Sequence, residues 1–327
     1  MSRRVLRGIV LAFALAVTCA AHAQPGERYP NRPLRWVVPF PPGGGTDFVS
    51  RLLALRLSEV WRQQVVIDNR GGAGGVVGTE IAAHAAADGY TLLFATAAGM
   101  IINPLLNPNL GYDPARDFAP VTLLVINPQL LVANAGVPVQ SVKDLIALAK
   151  AQPGKLNYGS SGKGAANHLC MELLKSMAGI DIVHVPYKGA GPAIIDLIGG
   201  QMQVLFNPMP PLLPHVKTGK LRALGVGDAR RSAAMPDVPT IAESGVPGYE
   251  YVLWYGLFAP AKTPRAVIDA MNAELKNVLA EPEMVQRLRV QGAEPSASSP
   301  AAFASFLRED TERLKKVIRS AGITAEQ

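Results

Sequence analysis

The chain has 327 residues, 49% hydrophobic and 17% charged, with a formal net charge of +7. That length supports a large core or division into domains of about 100 to 200 residues. No Lys/Arg run interleaved with aromatics marks a nucleic-acid surface.

Ser2-Arg3-Arg4-Val5-Leu6-Arg7 is a basic start, residues 8–17 are an apolar run too short to span a membrane comfortably, and Ala21-His22-Ala23 is a small-x-small cleavage pattern. Residues 1–23 therefore read as a secretory signal peptide, which sends the mature chain to the periplasm. Loss of Arg3, Arg4 and Arg7 with it lowers the net charge from +7 to +4. Cys19 as a lipid acceptor is disfavoured by the Ala16-Val17-Thr18 approach. Once Cys19 is removed, Cys170 is the remaining cysteine, so no internal disulfide is expected and the core must hold the fold. Cys170 itself reads as a small buried apolar residue.

Residues 34–38 read as a strand, and residues 48–61 as a helix with Val49, Leu52, Leu53, Leu57, Val60 and Trp61 at helical spacing. The turn between them, Pro39-Phe40-Pro41-Pro42-Gly43-Gly44-Gly45-Thr46-Asp47, has little side-chain bulk. Backbone N–H groups in such a glycine run can converge on one point, and the helix N-terminus adds partial positive charge, so a carboxylate or phosphate can be held without a basic side chain. The alternative is a tight turn with no ligand. A second strand, residues 65–67, leads to the cluster Gly71-Gly72-Ala73-Gly74-Gly75, which misses the dinucleotide spacing.

Residues 91–95 form the next strand. The long run 121–132, interrupted by Asn127-Pro128, suits a connection that leaves one sheet and enters another. Residues 141–151 read as a helix with Ser141 as N-cap and Asp144 at the capping-box place. Leu156-Asn157-Tyr158-Gly159-Ser160-Ser161-Gly162-Lys163-Gly164 repeats the strand and glycine-turn arrangement before a helix over residues 165–177, without the Walker spacing. Strands at 182–185, 204–206 and 223–226, a helix at 192–199, a returning strand at 251–258 and a helix at 264–280 follow. Three helical pieces close the chain without intervening strands.

This alternation predicts an α/β fold with mostly parallel sheets. Two crossings, near Asn127-Pro128 and near residues 251–256, divide it into lobe 1 (residues 24–126 and 252–327) and lobe 2 (residues 127–251), with one glycine turn on each lobe facing a cleft.

Catalytic constellations are sparse. Outside the signal peptide the histidines are His84, His168, His184 and His215, and there is no His-Glu-x-x-His or Cys-x-x-Cys metal spacing. A secreted serine hydrolase using Ser160 or Ser161 with a histidine is the alternative function, although the Gly-x-Ser-x-Gly elbow is missing. His184, in an alternating strand, reads as packed or hydrogen-bonded. His168 is read either as pointing at a bound anion or as capping the loop.

Nearly the whole mature chain, in order, resembles one family. The residues that carry the likeness are Tyr29-Pro30-x-Arg32-Pro33, Val38-Pro39-Phe40-x-Pro42-Gly43-Gly44-x-x-Asp47, Asp68-Asn69-Arg70-x-Gly72-Ala73-Gly74-Gly75, Asp88-Gly89-Tyr90-Thr91, Asn103-Pro104, Asn157-Tyr158-Gly159-Ser160, His184-Val185-Pro186-Tyr187-Lys188-Gly189, Gly219-Lys220-Leu221-Arg222-Ala223-Leu224 and Pro236-Asp237-Val238-Pro239-Thr240. They are similar to the Bug family, the extracytoplasmic solute receptors of tripartite tricarboxylate transporters. The resemblance implies a two-lobed, flytrap-like periplasmic binding protein of type II, monomeric and not an enzyme. It would capture a di- or tricarboxylate or another small organic acid without cofactor or metal, with membrane subunits of such a transporter, or a sensor, as partners.

Carried over, the contacts are Phe40, Pro42, Gly43 and Gly44 on lobe 1, and Ser160, Ser161, Gly162, Asn167 and His168 on lobe 2. Asp47, a carboxylate beside an anion site, is read as an N-cap or loop brace rather than a repelling contact. The chain departs from the family at Asn207, where an acidic residue is common, and in Thr96-Ala97-Ala98-Gly99-Met100, where Ala98 stands in a loop more apolar than the usual Thr/Ser-rich version. Both changes favour a carboxylate without an ammonium group. Mass spectrometry of a periplasmic fraction should find a chain starting at or near Gln24; recovery of the uncleaved chain, or of a lipid on Cys19, would contradict export by this route.

Overall fold

The computed structural model describes residues 29–162, 164–290, 292–320 and 323. The signal-peptide reading and Cys19 lie outside them. Residues 29–31 carry no regular element, and everything below concerns the unit formed by residues 32–327.

Along the chain run β1 (Leu34–Val38), α1 (Gly45–Trp61), β2 (Val65–Asn69), α2 (Val76–Ala83), β3 (Thr91–Ala95), β4 (Phe118–Asn134) and α3 (Val142–Ala151). Then come β5 (Asn157–Ser160), α4 (Ala166–Ala178), β6 (Val183–Pro186), α5 (Ala190–Ile198), β7 (Val204–Pro208), α6 (Leu213–Lys217) and β8 (Leu221–Val226). The last elements are β9 (Val252–Pro260), α7 (Arg265–Ala280), α8 (Pro282–Val290), β10 (Glu294–Pro295) and α9 (Pro300–Ser320). Short helical turns at Ala98–Ile102, Asn103–Leu106 and Pro114–Asp117 fill the stretch between β3 and β4.

The architecture is a two-lobed α/β fold. In the first half β2, β1 and β3 are parallel neighbours, and β9 closes that group antiparallel to β3. In the second, β6, β5 and β7 are parallel neighbours. The strand order is β2-β1-β3-β9-β4-β7-β5-β6, with β8 and β10 paired to β4 off that path. One strand serves both halves: β4 pairs with β9 from Phe118 to Pro128, then with β7 from Gln129 to Ala133. Asn127-Pro128, expected to interrupt the run, lies inside a continuous strand. The imide that cannot donate falls where the pairing partner changes, so the ladder loses little.

The helix patterns follow burial. In α1, Val49, Leu53 and Leu57 are buried, whereas Val60 faces outward. Ser141 caps α3 by accepting from Asp144 N–H at 3.2 Å, and the Asp144 carboxylate takes the Gln140 N–H at 2.9 Å. Several elements extend the sequence reading, among them α6 and the short turns between β3 and β4. α2 was not foreseen, because its residues follow directly on a glycine cluster. The closing helices are not free of strands either: β10 pairs with β4 through Glu294 and Pro295.

The core is continuous across the two halves, uniting Val37 and Leu93 with Leu131, Tyr158, Phe206, Trp254 and Phe303. α9 is fixed to β9 by a buried polar knot in which the Trp254 indole N–H donates to Asp310 at 2.7 Å and Arg313 Nε donates to the same carboxylate at 3.1 Å. Asp310 is 3% exposed. Asp310→Ala leaves a buried indole N–H and a guanidinium without their acceptor, and should cost about 3–5 kcal/mol. Urea unfolding measures this; an unchanged midpoint would show that the knot contributes nothing to holding α9.

Candidate functional site

The β1–α1 loop is built as a rigid cup. Gly43 has φ +87°, a conformation that favours glycine. Gly44 is the N-cap of α1 and supplies no side-chain cap, so the first-turn amides lack one. Asp47 is the third residue of the helix, not its N-cap. Its carboxylate reaches back to accept the Gly43 N–H at 3.0 Å and Arg51 Nε at 2.9 Å. Arg51 also donates to Asn69 at 2.9 Å, and the Asn69 amide donates to the Phe40 carbonyl at 3.1 Å. Burial pushes the Asp47 carboxyl up, but hydrogen bonds from Arg51, Gly43 and Asn69 outweigh it and hold it below the ordinary carboxylate range. Asp47 is thus a brace, with its charge committed inside the loop.

The third glycine cluster backs this cup. A Cβ at Gly71 would stand 2.9 Å from Pro41, and one at Gly75 would stand 3.4 Å from the Phe40 ring. Phe40 is half-buried, and Pro42, Gly43 and Gly44 are exposed. Below the helix start, the Tyr255 hydroxyl lies 2.7 Å from where a Gly45 Cβ would be and accepts from Asn127 at 3.4 Å. Burial pushes the Tyr255 phenol up to about 12, so it remains protonated.

The β5–α4 loop has a different internal economy. Its amides are taken by its own side chains: Ser161 N–H by Asn167 at 3.1 Å, Gly162 N–H by Ser160 Oγ at 3.1 Å and Gly164 N–H by His168 Nδ1 at 3.1 Å. Three described amides of this loop are thus turned onto side chains of the loop and of α4. The outward-facing groups are the half-buried Ser161 and Gly162 and the first turn of α4, whose N-cap Ala165 provides no side-chain cap.

Ser160 is fully buried; its Oγ also lies 2.6 Å from His184 Nε2 and donates to the Gly162 carbonyl at 3.0 Å. His168 caps the loop through the Gly164 N–H. Its ring stacks on His184 at 4.2 Å, and His184 stacks on Tyr158 at 4.8 Å. A Cβ at Gly164 would lie 3.9 Å from Leu106, so this loop meets the Asn103–Leu106 turn of the other half.

Asn207 is buried in β7 opposite Leu130, with its amide donating to the Pro208 carbonyl at 3.2 Å. Ala98 begins the turn Ala98–Ile102, and its N–H donates to Thr96 Oγ1 at 3.2 Å. Sequence reasoning missed Arg51, Asn69, Tyr255 and Leu106; the Asp47/Arg51 spacing of four residues on one helix was the readable signal for the first. Among the described residues no group of three or more His, Cys, Asp or Glu side chains could hold a metal ion, and no helix is long and apolar enough to cross a membrane.

Residues 49–323 match the model of the tripartite tricarboxylate transporter family receptor. The chain belongs to this family. Protein BugT of Bordetella pertussis is 37% identical over 314 residues, covering 96% of each chain. Among solved structures, Rpa4515 of R. palustris with adipate superimposes with a TM-score of 0.86 at 39% identity, covering 91% of this chain and all of that one. MatC of Rhodopseudomonas palustris with bound malate gives 0.80 at 32% identity, covering 89% and 100%. The protein is thus a receptor of the tripartite tricarboxylate transporter type.

In this receptor the Asp47 brace is testable apart from ligand. Because its carboxyl is held below its unfolded value near about 3.9, its contribution is present at neutral pH and is lost as pH falls through the acid range. Asp47→Asn should cost about 1.5–3 kcal/mol at neutral pH and make the acid limb of the melting-temperature profile shallower. A repelling carboxylate would instead give tighter ligand binding in that variant.

Proposed function

We propose that the receptor holds an ammonium-free organic acid, such as an aliphatic dicarboxylate, between its two glycine loops. The observation that carries this reading is the pair of helix N-termini, α1 and α4, that follow those loops on opposite halves of the sheet and have no side-chain cap. Rpa4515 and MatC were solved with adipate and malate, neither of which bears an ammonium group. Asn207 and Ala98, where an acidic and a hydroxyl residue would help an amino acid ligand, support the same choice. Phe40, Pro42, Gly43 and Gly44 contact the ligand from the first lobe, and Ser161, Gly162 and the first turn of α4 from the second. Ser160, Asn167 and His168 act from behind, by shaping the loop.

The lobes are residues 24–126 with 252–327, and residues 127–251, hinged where β4 changes partner and where β9 begins. The mature protein works in the periplasm as a monomer, without cofactor or metal, and delivers its ligand to membrane subunits of a tripartite transporter or to a sensor. It turns nothing over. The Ser160–His184 contact resembles half of a hydrolytic dyad, but a fully buried hydroxyl that already accepts the Gly162 N–H presents no nucleophile to a substrate.

Adipate and malate should raise the melting temperature saturably, equivalent to about 2.7 kcal/mol at a hundredfold excess over Kd. Gly43→Val, which puts a β-branched residue at φ +87°, and Ser161→Ala should each weaken binding about ten- to a hundredfold. Calorimetry that finds wild-type affinity in both variants would place the anion elsewhere, and hydrolysis of ester or amide substrates by the purified protein would overturn the receptor-only reading.

A further inference from the structure

Below the start of α1 lies a set of buried polar atoms with more hydrogen-bonding capacity than the described residues use. Tyr255 on β9 is 2% exposed and packs against Phe94 with ring centroids 5.6 Å apart. Its hydroxyl accepts from Asn127 Nδ2 at 3.4 Å, its one hydrogen bond among the described residues, so its own hydrogen is left to give. Asn127 Oδ1 has no partner among the described residues, and neither has Oε1 or Nε2 of Gln129, two positions along the same strand. Buried polar side chains are nearly always hydrogen-bonded, so these four uncommitted groups on neighbouring strands point to a ligand.

We propose that Tyr255, Asn127 and Gln129 form a hydroxyl-binding subsite at the floor of the cleft, and that the ligand is a hydroxy acid whose hydroxyl lies on the carbon next to the captured carboxylate. The inference rests on the receptor reading above and names the ligand class for that site. The Tyr255 hydroxyl lies 2.7 Å from where a Gly45 Cβ would stand, so it sits against the first residue of α1, beside the N-cap Gly44. Asn127 pairs with Leu253 of β9 and Gln129 with Pro208 at the end of β7, so the two amides flank the point where β4 passes from one half to the other. A carboxylate on the first-turn amides of α1 brings its neighbouring carbon over Tyr255, and parting of the halves at this point admits it.

The uncommitted groups select a hydroxyl over a charged end of the ligand. Two of them, Asn127 Oδ1 and Gln129 Oε1, only accept, so a second carboxylate here would set its charge against both and leave them unpaired. An ammonium would suit those two oxygens but would leave the Tyr255 hydrogen and Gln129 Nε2 without an acceptor. A hydroxyl does both: its oxygen accepts from Tyr255 or from Gln129 Nε2, and its hydrogen goes to one of the amide carbonyls. Because burial pushes the Tyr255 phenol up to about 12, the donor is present throughout the neutral range.

The test is calorimetric titration of the full mature chain with two matched pairs, malate against succinate and 2-hydroxyadipate against adipate. In the pair whose length the cleft accepts, the hydroxy acid should bind at least about tenfold tighter than its deoxy partner. Tyr255→Phe, which keeps the ring on Phe94, and Gln129→Met should each bring that ratio towards one while changing affinity for the deoxy acid by less than about threefold. Equal affinities within both pairs in wild type overturn the inference, assign these groups to ordered water and leave the receptor reading intact. A wild-type preference that persists unchanged in both variants also overturns it, since the hydroxyl is then read elsewhere. Failure of all four acids to bind overturns the receptor reading itself, and the inference with it.

Discussion

Everything in this fold depends on β4 remaining one strand through two sheets. Its 17 residues run from pairing with β9 to pairing with β7 and β8 without a chain break. The two helix starts of the proposed site belong to opposite halves, which β4 and β9 join. A strand paired on both sides bends only where its ladder is weakest. In β4 the register shifts between Pro120 and Thr122, Leu123 and Val125, and Leu131 and Val132, and the partner changes at Pro128, which has no N–H to give. Here Asn127 Oδ1 and both side-chain amide atoms of Gln129 are buried without hydrogen-bond partners, a local cost that a fully paired strand would avoid.

The two loops solve one problem by different means. In the β1–α1 loop, an ionised carboxylate tied to an arginine and to one amide holds the glycines in place, so its negative charge is neutralised within the loop, beside the proposed anion site. In the β5–α4 loop, neutral acceptors from Ser160, Asn167 and His168 play the bracing part. A cup braced by a strong ion pair holds its shape over the neutral pH range.

Much of the fold was legible because strand and helix periodicities are local. Thr91–Ala95 coincides with its expected span, and the Ser141 cap with Asp144 was visible as a spacing of three residues. What was illegible came from distance. Asn127-Pro128 looks like punctuation in a list of residues, and only the two partner strands explain why it is not. The glycine loops were found by composition, yet the direction of their amides depends on Asn167 and His168 from the next helix and on Ser160, which His184, 24 residues on, contacts. Tyr255 under Gly45 is 210 positions away in sequence, and no local pattern announces it.

The sheet ends on β2 and β6, and each end offers backbone groups that another strand could pair with. At the β2 end Asp68 is bracketed by Arg35 and Arg70 at 2.5 and 2.9 Å, which lines the edge with charge around the exposed Val66. At the other end β6 is four residues long and finishes in Pro186, which has no N–H to give. Growth of the sheet from copy to copy is therefore opposed by charge on one side and by brevity on the other.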